Sequence, residues 1–268
     1  MSANLNRLIR TLQNRLHVRS ESRALAALAS IQCNTAKLRT DLPNYTDKEL
    51  SAEWDSVQRE LTALQFGDKP GAVNPGDRRA IYYLTRTIRA KTVLEVGTHL
   101  GGSTSMLALA LRNSALPAPK LITVDILDVN GPRGAWASLN SRPPKAILEA
   151  LHCNFVEFVT SSSLTFLKGC KSKFDLIFLD GLHHATTVYQ EVPAALEVLN
   201  PGGLILLHDF FPQAKPLWSD GSVFAGPWLA IDRLRNEGSK MTAHPLGALP
   251  WPTKIGSNVT SLACLIAA

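Results

Sequence analysis

The sequence has few cysteines and no long hydrophobic run. Its four cysteines form no CxxC pair and show no histidine spacing that suggests zinc: Cys33, Cys153, Cys170 and Cys264. They are therefore expected to be reduced thiols in a cytoplasmic protein. No uninterrupted apolar run approaches the roughly 20 residues that a membrane-spanning helix needs, so a membrane span is not expected.

The sequence also lacks blocks of basic residues interleaved with aromatic ones. The 268 residues carry a net charge of +6, which raises the question of nucleic-acid binding. Much of this excess lies in the first forty residues, and the rest of the chain is closer to balance. A groove for single-stranded nucleic acid combines basic and stacking aromatic side chains, so nucleic acid is not expected as a partner.

The first forty residues carry apolar side chains at helical spacing. Five of them would lie on one face of a helix, opposite arginines: Leu5, Leu8, Ile9, Leu12 and Leu16. No acidic residue precedes Glu21. Three interpretations stay open: an amphipathic helix that packs on the rest of the chain or on a partner subunit of a homo-oligomer, an organelle-targeting segment, or a helix on a membrane surface.

The rest of the chain is organised around residues 92–104, Thr-Val-Leu-Glu-Val-Gly-Thr-His-Leu-Gly-Gly-Ser-Thr. The apolar start is too short for a helix and predicts a buried strand. Glycines follow at Gly97, Gly101 and Gly102, and Ser103-Thr104 are expected to cap the next helix. A strand, a glycine turn and a capped helix predict the first unit of a nucleotide-binding α/β sheet.

The acid in this strand, Glu95, indicates which ligand the turn favours. A carboxylate at the end of such a strand faces the crevice where open α/β sheets bind ligands. It repels a pyrophosphate but suits an ammonium or a hydroxyl group. S-adenosylmethionine presents an ammonium and a ribose and has no phosphate. An ordinary glycine-rich turn without a ligand is the alternative.

Two later segments add to this motif. They are Phe-Asp-Leu-Ile-Phe-Leu-Asp-Gly-Leu-His-His at 174–184 and Asn-Pro-Gly-Gly-Leu-Ile-Leu-Leu-His-Asp at 200–209. Residues 94–104 resemble the first motif of class I S-adenosylmethionine-dependent methyltransferases, and the later segments are similar to the catechol- and macrocin-type small-molecule O-methyltransferases. The resemblance covers about residues 75–267. It implies S-adenosylmethionine as cofactor, held in part by the first motif: Glu95, Gly97, Thr98, Gly101 and Ser103.

Two further residues are expected to contact the nucleoside. Asp125 ends the second predicted strand, where it can accept hydrogen bonds from both ribose hydroxyls. A helix cap or a surface acid is its alternative role. The resemblance places Ser162, after the third strand, against the adenine amino group, where the family often has an acidic or polar residue. A serine departs from the acid at this position.

Asp180 and Asp209 end the fourth and fifth predicted strands. Neighbouring parallel strands bring such carboxylates together, and they repel each other unless a cation or a proton intervenes. By resemblance both match metal-ligand positions, with His208 beside them. A divalent metal, Mg²⁺ or a softer ion as the histidine suggests, would orient the acceptor oxygen. Carboxylates that cap adjacent helices are the alternative.

Methyl transfer to a hydroxyl or carboxyl oxygen calls for a base or a charge neutraliser near the acceptor. His183 lies three residues after Asp180, at the position where catechol-type enzymes place a catalytic lysine. His184 and His208 are the rival bases. Asp180 is assigned to the reaction centre as well as to the cofactor.

The predicted fold is α/β: a Rossmann-like, doubly wound, seven-stranded sheet, mostly parallel with an antiparallel last strand, plus an N-terminal helical appendage. A glycine- and proline-rich connector at 66–77 predicts the boundary. Residues 1–70 are assigned to the appendage and residues 71–268 to an S-adenosylmethionine-binding methyltransferase domain.

The predicted function is methyl transfer to a small-molecule acceptor, with an oxygen favoured. Two alternatives stay open. A nicotinamide-dependent oxidoreductase is one, although the sequence lacks a GxGxxG fingerprint. A non-catalytic binding protein on a methyltransferase fold is the other.

Overall fold

A computed structural model describes residues 2–64, 66–68, 71–139 and 141–268, with the backbone alone described for residues 2–8. The helices are α1 Ser2–Ala26, α2 Ser51–Ala63, α3 Pro75–Thr87, α4 Gly102–Asn113, α5 Ala135–Ser138, α6 Pro144–Ala150, α7 Ser163–Gly169, α8 Ala185–Val198 and α9 Gly226–Asn236. The strands are β1 Thr92–Val96, β2 Lys120–Asp125, β3 Val156–Thr160, β4 Phe174–Leu179, β5 Leu199–Leu207, β6 Met241–Pro245 and β7 Ala263–Ala267.

The strands form one seven-stranded sheet in the order β3-β2-β1-β4-β5-β7-β6. Strands β1 to β5 run parallel, and β7 lies antiparallel between β5 and β6. The predicted Rossmann-like sheet with an antiparallel last strand is therefore confirmed. The strand order reverses at β1, so the crevice between β1 and β4 is the switch point where such sheets bind ligands.

Side-chain alternation along the strands explains why helices cover both faces of the sheet. Val93 points into a buried cluster with α2, α3 and α4. Its neighbour Leu94 points into a second cluster with α8 and α9. Strands that are buried on both faces must be apolar throughout, as Phe174–Leu179 nearly is.

Gly97 ties the ends of β1, β2 and β4 together. Its N–H donates to the carbonyl of Val124 at 2.8 Å, and the N–H of Asp180 donates to the carbonyl of Val96 at 2.9 Å. Gly97 has φ +97°, and a Cβ there would lie 2.1 Å from the carbonyl oxygen of Asp180. Only glycine fits this turn, because a side chain would separate the two strand ends.

The start of α4 differs from the prediction. Gly101, in the left-handed region at φ +74°, is the N-cap, and the helix already includes Ser103 and Thr104. The hydroxyl of Thr104 is engaged by Glu95 instead of the helix end. The expectation that Ser103-Thr104 cap the helix is therefore wrong.

Helix α1 is attached by polar side chains and, near its end, by the buried Leu25, but not by the predicted apolar stripe. Ile9, Leu12 and Leu16 are 45%, 58% and 57% exposed. Asn14 donates to the carbonyl of Gly221 at 2.8 Å, and Arg10 donates to that of Asp220. The side chains of residues 5 and 8 lie outside the described part. Packing on a partner subunit stays a prediction.

The predicted boundary at residue 70 is not marked by a separate hydrophobic core. Trp54, Val57 and Leu61 of α2 lie in the same buried cluster as α3 and α4. Residues 69 and 70 of the connector lie outside the described residues. The division into an appendage and a methyltransferase domain stays a prediction. Among the described residues, no helix has the length and apolar character to cross a membrane.

Candidate active site

A cavity of about 970 Å³ opens at the carboxyl edge of the sheet, above β1, β2, β4 and β5. Its volume lies near the upper end of the range of roughly 300–1,000 Å³ for small-molecule sites. Carboxylates predominate among the charged residues of the described wall: Asp125, Asp180, Glu191 and Asp209, with Lys254 as a basic residue. A wall of this charge suits a cationic ligand better than a phosphate.

Six predicted cofactor residues lie in the cavity wall: Gly97, Thr98, Ser103, Asp125, Ser162 and Asp180. The carboxylate of Asp125 accepts hydrogen bonds from the backbone N–H groups of His99 and Leu127, both at 3.0 Å. These bonds fix its orientation at the end of β2, and each carboxylate oxygen retains a lone pair for a ligand hydroxyl. Gly101 is not part of this wall, because it caps α4 behind the cavity.

Glu95 lies behind the wall of the cavity and not in it. Its side chain is completely buried and accepts hydrogen bonds from the hydroxyls of Thr104 and Thr123, the latter at 2.6 Å. Burial raises the pKa of this carboxyl to about 7, although those hydroxyls and that of Ser103 act to lower it. At this position the Glu95 carboxyl is not placed to contact the ammonium of a cofactor directly. Glu95 instead holds the glycine turn and the start of α4 in place.

Glu95→Gln is expected to remove part of the pH dependence of stability. The pKa of this carboxyl rises from 4.5 to about 7 on folding. The neutral carboxyl therefore stabilises the fold fully below about pH 4, and this contribution is lost as the pH rises through 7. Such a shift corresponds to roughly 3 kcal/mol. Urea unfolding between pH 5 and 8 measures it.

The free energy of unfolding of Glu95→Gln should rise relative to that of the natural chain as the pH increases, because the variant lacks this titration. Glu197→Gln, at an exposed carboxyl on α8, is the matched control and should follow the natural chain. A Glu95→Gln curve parallel to that of the natural chain would show that this carboxyl does not titrate in that range.

Ser162 is engaged in capping α7. Its hydroxyl oxygen accepts from the N–H of Thr165 at 3.2 Å, and its O–H lies 2.7 Å from the Thr165 hydroxyl oxygen. Ser162 lines the cavity, but a local helix cap already uses its side chain. The predicted contact with adenine stays a prediction that this geometry does not favour.

The acids that end β4 and β5 meet at two histidines. His208 Nδ1 lies 2.9 Å from Asp180 Oδ1, and its Nε2 lies 3.1 Å from Asp77 Oδ2 on α3. Burial acts to lower the pKa of His208, but the charges of Asp180 and Asp209 outweigh it and raise the pKa well above its ordinary range. His208 is thus a partly buried imidazolium that bridges two carboxylates.

His183 lies on the cavity side of these acids. Its Nε2 is 3.3 Å from Asp209 Oδ2 and 3.8 Å from Asp180 Oδ1. Its ring packs against Phe224, with ring centroids 5.4 Å apart. Trp218 and Lys254 follow along the same wall, with the Lys254 ammonium 3.3 Å from the centre of the indole.

The chemistry of the side chains around His208 bears on the predicted metal. Both nitrogens of His208 face carboxylate oxygens, so they act as hydrogen-bond donors, whereas a metal ligand needs a nitrogen lone pair. Within the described part of the chain, no three His, Cys, Asp or Glu side chains are grouped to hold a metal ion. The arrangement of Asp180, His208 and Asp209 therefore does not fit a metal, and metal assistance stays a prediction.

Comparisons with known proteins agree with this geometry. Residues 94–210 match the model of a family described as a methyltransferase domain. This part of the chain is therefore similar to a methyltransferase domain. The resemblance noted in the sequence is thereby confirmed. No curated protein matched the chain.

Solved structures of methyltransferases show the same fold as this chain. The O-methyltransferase TomG of Streptomyces achromogenes, in complex with S-adenosylmethionine, matches with a TM-score of 0.55 and 19% identity over 82% of this chain and 96% of TomG. An O-methyltransferase of Bacillus cereus, in complex with S-adenosylhomocysteine, matches with a TM-score of 0.55 and 18% identity over 83% and 96% of the two chains. At these identities the likeness establishes the fold.

One of the predicted catalytic bases, His184, points away from the cavity. His184 precedes α8, and its Nδ1 lies 2.8 Å from Glu21 Oε1 of α1. The other oxygen of Glu21 accepts from the N–H of Ala185 at 2.5 Å. His184 thus belongs to the attachment of α1, and the structure does not bring it to the reaction centre.

Two acids near the site were missed by the sequence analysis. Asp77 is completely buried in the first turn of α3, where Asn74 is the N-cap. The sequence Asn-Pro-Gly-Asp carries a capping signal that could have located this turn, but not the partner His208. Glu191 lies within α8, where nothing in the sequence separates it from an exposed helical glutamate.

Proposed function

We propose that this chain is an S-adenosylmethionine-dependent methyltransferase that acts on an oxygen of a small-molecule acceptor. One observation carries the proposal: the same cavity is lined by an acid that can bind a ribose and by a histidine that lies close to two carboxylates. Asp125 lies at the end of β2, and His183 lies beyond the end of β4. The methyltransferase fold supports the choice of cofactor.

The residues of the wall fit the cofactor. Asp125 would accept from the ribose hydroxyls, and the backbone of Gly97 and Thr98 would lie against the amino-acid part. The negative charge of Asp180 favours the ammonium and the sulfonium over a neutral nucleoside. Glu95 acts as a positioning residue through Thr104 and Thr123.

When bound, S-adenosylmethionine supplies an electrophilic methyl group on a positively charged sulfur. His183 removes the proton of the acceptor hydroxyl. The N–H group at Nε2 donates a hydrogen bond to Asp209. The lone pair of Nδ1 is then free to take the proton of the substrate hydroxyl. The carboxylates of Asp209 and Asp180 then stabilise the imidazolium.

The wall beyond His183 is suited to an aromatic acceptor. Phe224 and Trp218 offer ring faces, and both lie in the cavity wall with His183. Residues 218–224 belong to the long segment between β5 and α9. An aromatic acceptor held there would place its hydroxyl next to the imidazole. Holding the two groups in a fixed orientation speeds the reaction between them.

Asp125→Asn is expected to weaken the binding of S-adenosylhomocysteine by about 30- to 100-fold. The substitution removes the charge and one of the two acceptors for the ribose hydroxyls. A hydrogen bond to a charged group contributes roughly 1.5–3 kcal/mol, and 1.4 kcal/mol corresponds to a tenfold change in affinity. Isothermal titration calorimetry measures the change.

Asp128→Asn is the matched control for this experiment. Asp128 lies three residues further along the same loop, is exposed and is outside the cavity wall. The control should bind within about twofold of the natural chain. Equal affinity of Asp125→Asn and Asp128→Asn would remove the assignment of the ribose site.

A further inference from the structure

Glu191 is a buried acid in the cavity wall that the proposed reaction does not use. Its side chain is 2% exposed, and it lines the cavity together with Thr187, one turn earlier on α8. Its Oε1 has no hydrogen-bond partner within the described residues. A buried polar atom without a partner is costly, so an oxygen of this kind in a cavity wall points to a ligand that donates to it.

The position of Glu191 indicates which part of the ligand it meets. Burial raises the pKa of its carboxyl, and a hydrogen bond with the Ser163 side chain offsets part of this rise. Ser163 begins α7, directly after β3, and β3 is the neighbour of β2. Glu191 therefore lies beside the strand end next to Asp125, on the side away from His183. In the proposed complex, the base attached to the ribose occupies this region.

The wall between these acids suits a flat base. Ile126 follows Asp125, and Leu182 follows the end of β4. Both side chains are apolar and line the cavity. The side chain that the family resemblance placed against the adenine amino group, Ser162, is engaged in capping α7. A different acceptor is therefore needed for that amino group.

We propose that Glu191 is the residue that selects adenine: its Oε1 accepts a hydrogen bond from the exocyclic amino group of the base. This inference rests on the proposed function, since it requires an S-adenosyl ligand in the cavity. A base with an oxygen at the same position would place a carbonyl against the carboxylate. Two acceptors then face each other with no proton between them, and binding weakens.

The experiment compares S-adenosyl-L-homocysteine with S-inosyl-L-homocysteine, which differ in the amino or oxo group at this position of the base and in a hydrogen on the adjacent ring nitrogen. Calorimetry at pH 8.5 gives the ratio of the two affinities. The natural chain should prefer the adenosyl compound by about 10- to 100-fold, as expected when a buried acceptor is left without its donor.

Glu191→Gln should reduce this ratio to within about threefold, because an amide can both donate and accept. Glu197→Gln, on an exposed residue of the same helix, should keep the ratio of the natural chain. A general loss of structure would weaken both ligands equally and leave the ratio unchanged.

Two outcomes would overturn the inference: equal affinity of the natural chain for both compounds, or an unchanged ratio in a Glu191→Gln variant whose melting temperature matches that of the natural chain. The first needs no variant, so the inference stays testable even if Glu191→Gln does not fold. Failure of the natural chain to bind S-adenosyl-L-homocysteine at all would refute the proposed function itself, and the inference with it.

Discussion

His183→Ala is expected to lower the rate of methyl transfer by about 10²- to 10⁴-fold while leaving the affinity for S-adenosylhomocysteine within about threefold. In the proposed reaction the imidazole takes the acceptor's proton. It lies 3.3 Å from Asp209, which would stabilise the charged ring. Most of the proposed cofactor contacts lie on other elements, at the ends of β1 and β2 and on α8. The substitution should therefore slow proton removal without weakening cofactor binding.

The rate is measured with tritiated S-adenosylmethionine and an acceptor found on the natural chain in a panel of catechols, phenols and aromatic acids. His244→Ala, at an exposed histidine on β6 outside the cavity wall, is the matched control and should retain the full rate. A fully active His183→Ala variant would refute the assignment of the base. The same assay with a chelator tests the metal: activity lost with EDTA and restored by Mg²⁺ would favour metal assistance.

His208→Ala is expected to lower the free energy of unfolding by about 3–5 kcal/mol. The imidazolium lies between Asp180 and Asp77, whose side chain is completely buried. Its removal leaves two carboxylates in a region of low dielectric constant without a cation. For a chain of this length, the melting temperature should fall by on the order of 10 °C.

Urea unfolding of a double-mutant cycle measures this interaction. Asp77→Asn removes one of the two charges, so the variant with both Asp77→Asn and His208→Ala should recover part of the stability lost in His208→Ala. Strict additivity of the two substitutions would show that the ion pair between α3 and β5 does not contribute to stability.

The sheet could be predicted because its strands are short apolar runs that end in turn residues. Parallel strands also place their final residues at one edge, so the proximity of Asp180 and Asp209 follows from the sequence. The inward direction of Glu95 could have been found in the same way. Side chains alternate along a strand, and Glu95 shares the face of Val93, towards α4.

The remainder of the site depends on contacts between distant parts of the chain. Asp77 and His208 are 131 residues apart, and Glu21 and His184 are 163 apart. His183 and His184 are neighbours in sequence, yet one faces the cavity and the other faces α1. No local pattern distinguishes the two histidines, because their roles are decided by the elements packed against them.

The alternatives to a methyltransferase make different predictions about ligands. A nicotinamide-dependent oxidoreductase needs a site for a pyrophosphate, whereas carboxylates predominate among the charged groups of the described wall. A non-catalytic protein on this fold would bind the nucleoside without transferring its methyl group. The turnover assay distinguishes this second alternative.

Calorimetric titration of the natural chain with S-adenosylhomocysteine tests the central claim most directly, with NAD⁺ as the comparison ligand. We expect one S-adenosylhomocysteine to bind per chain, with a dissociation constant in the micromolar range or below and no heat from NAD⁺. No binding of S-adenosylhomocysteine, or tighter binding of NAD⁺, would contradict the account.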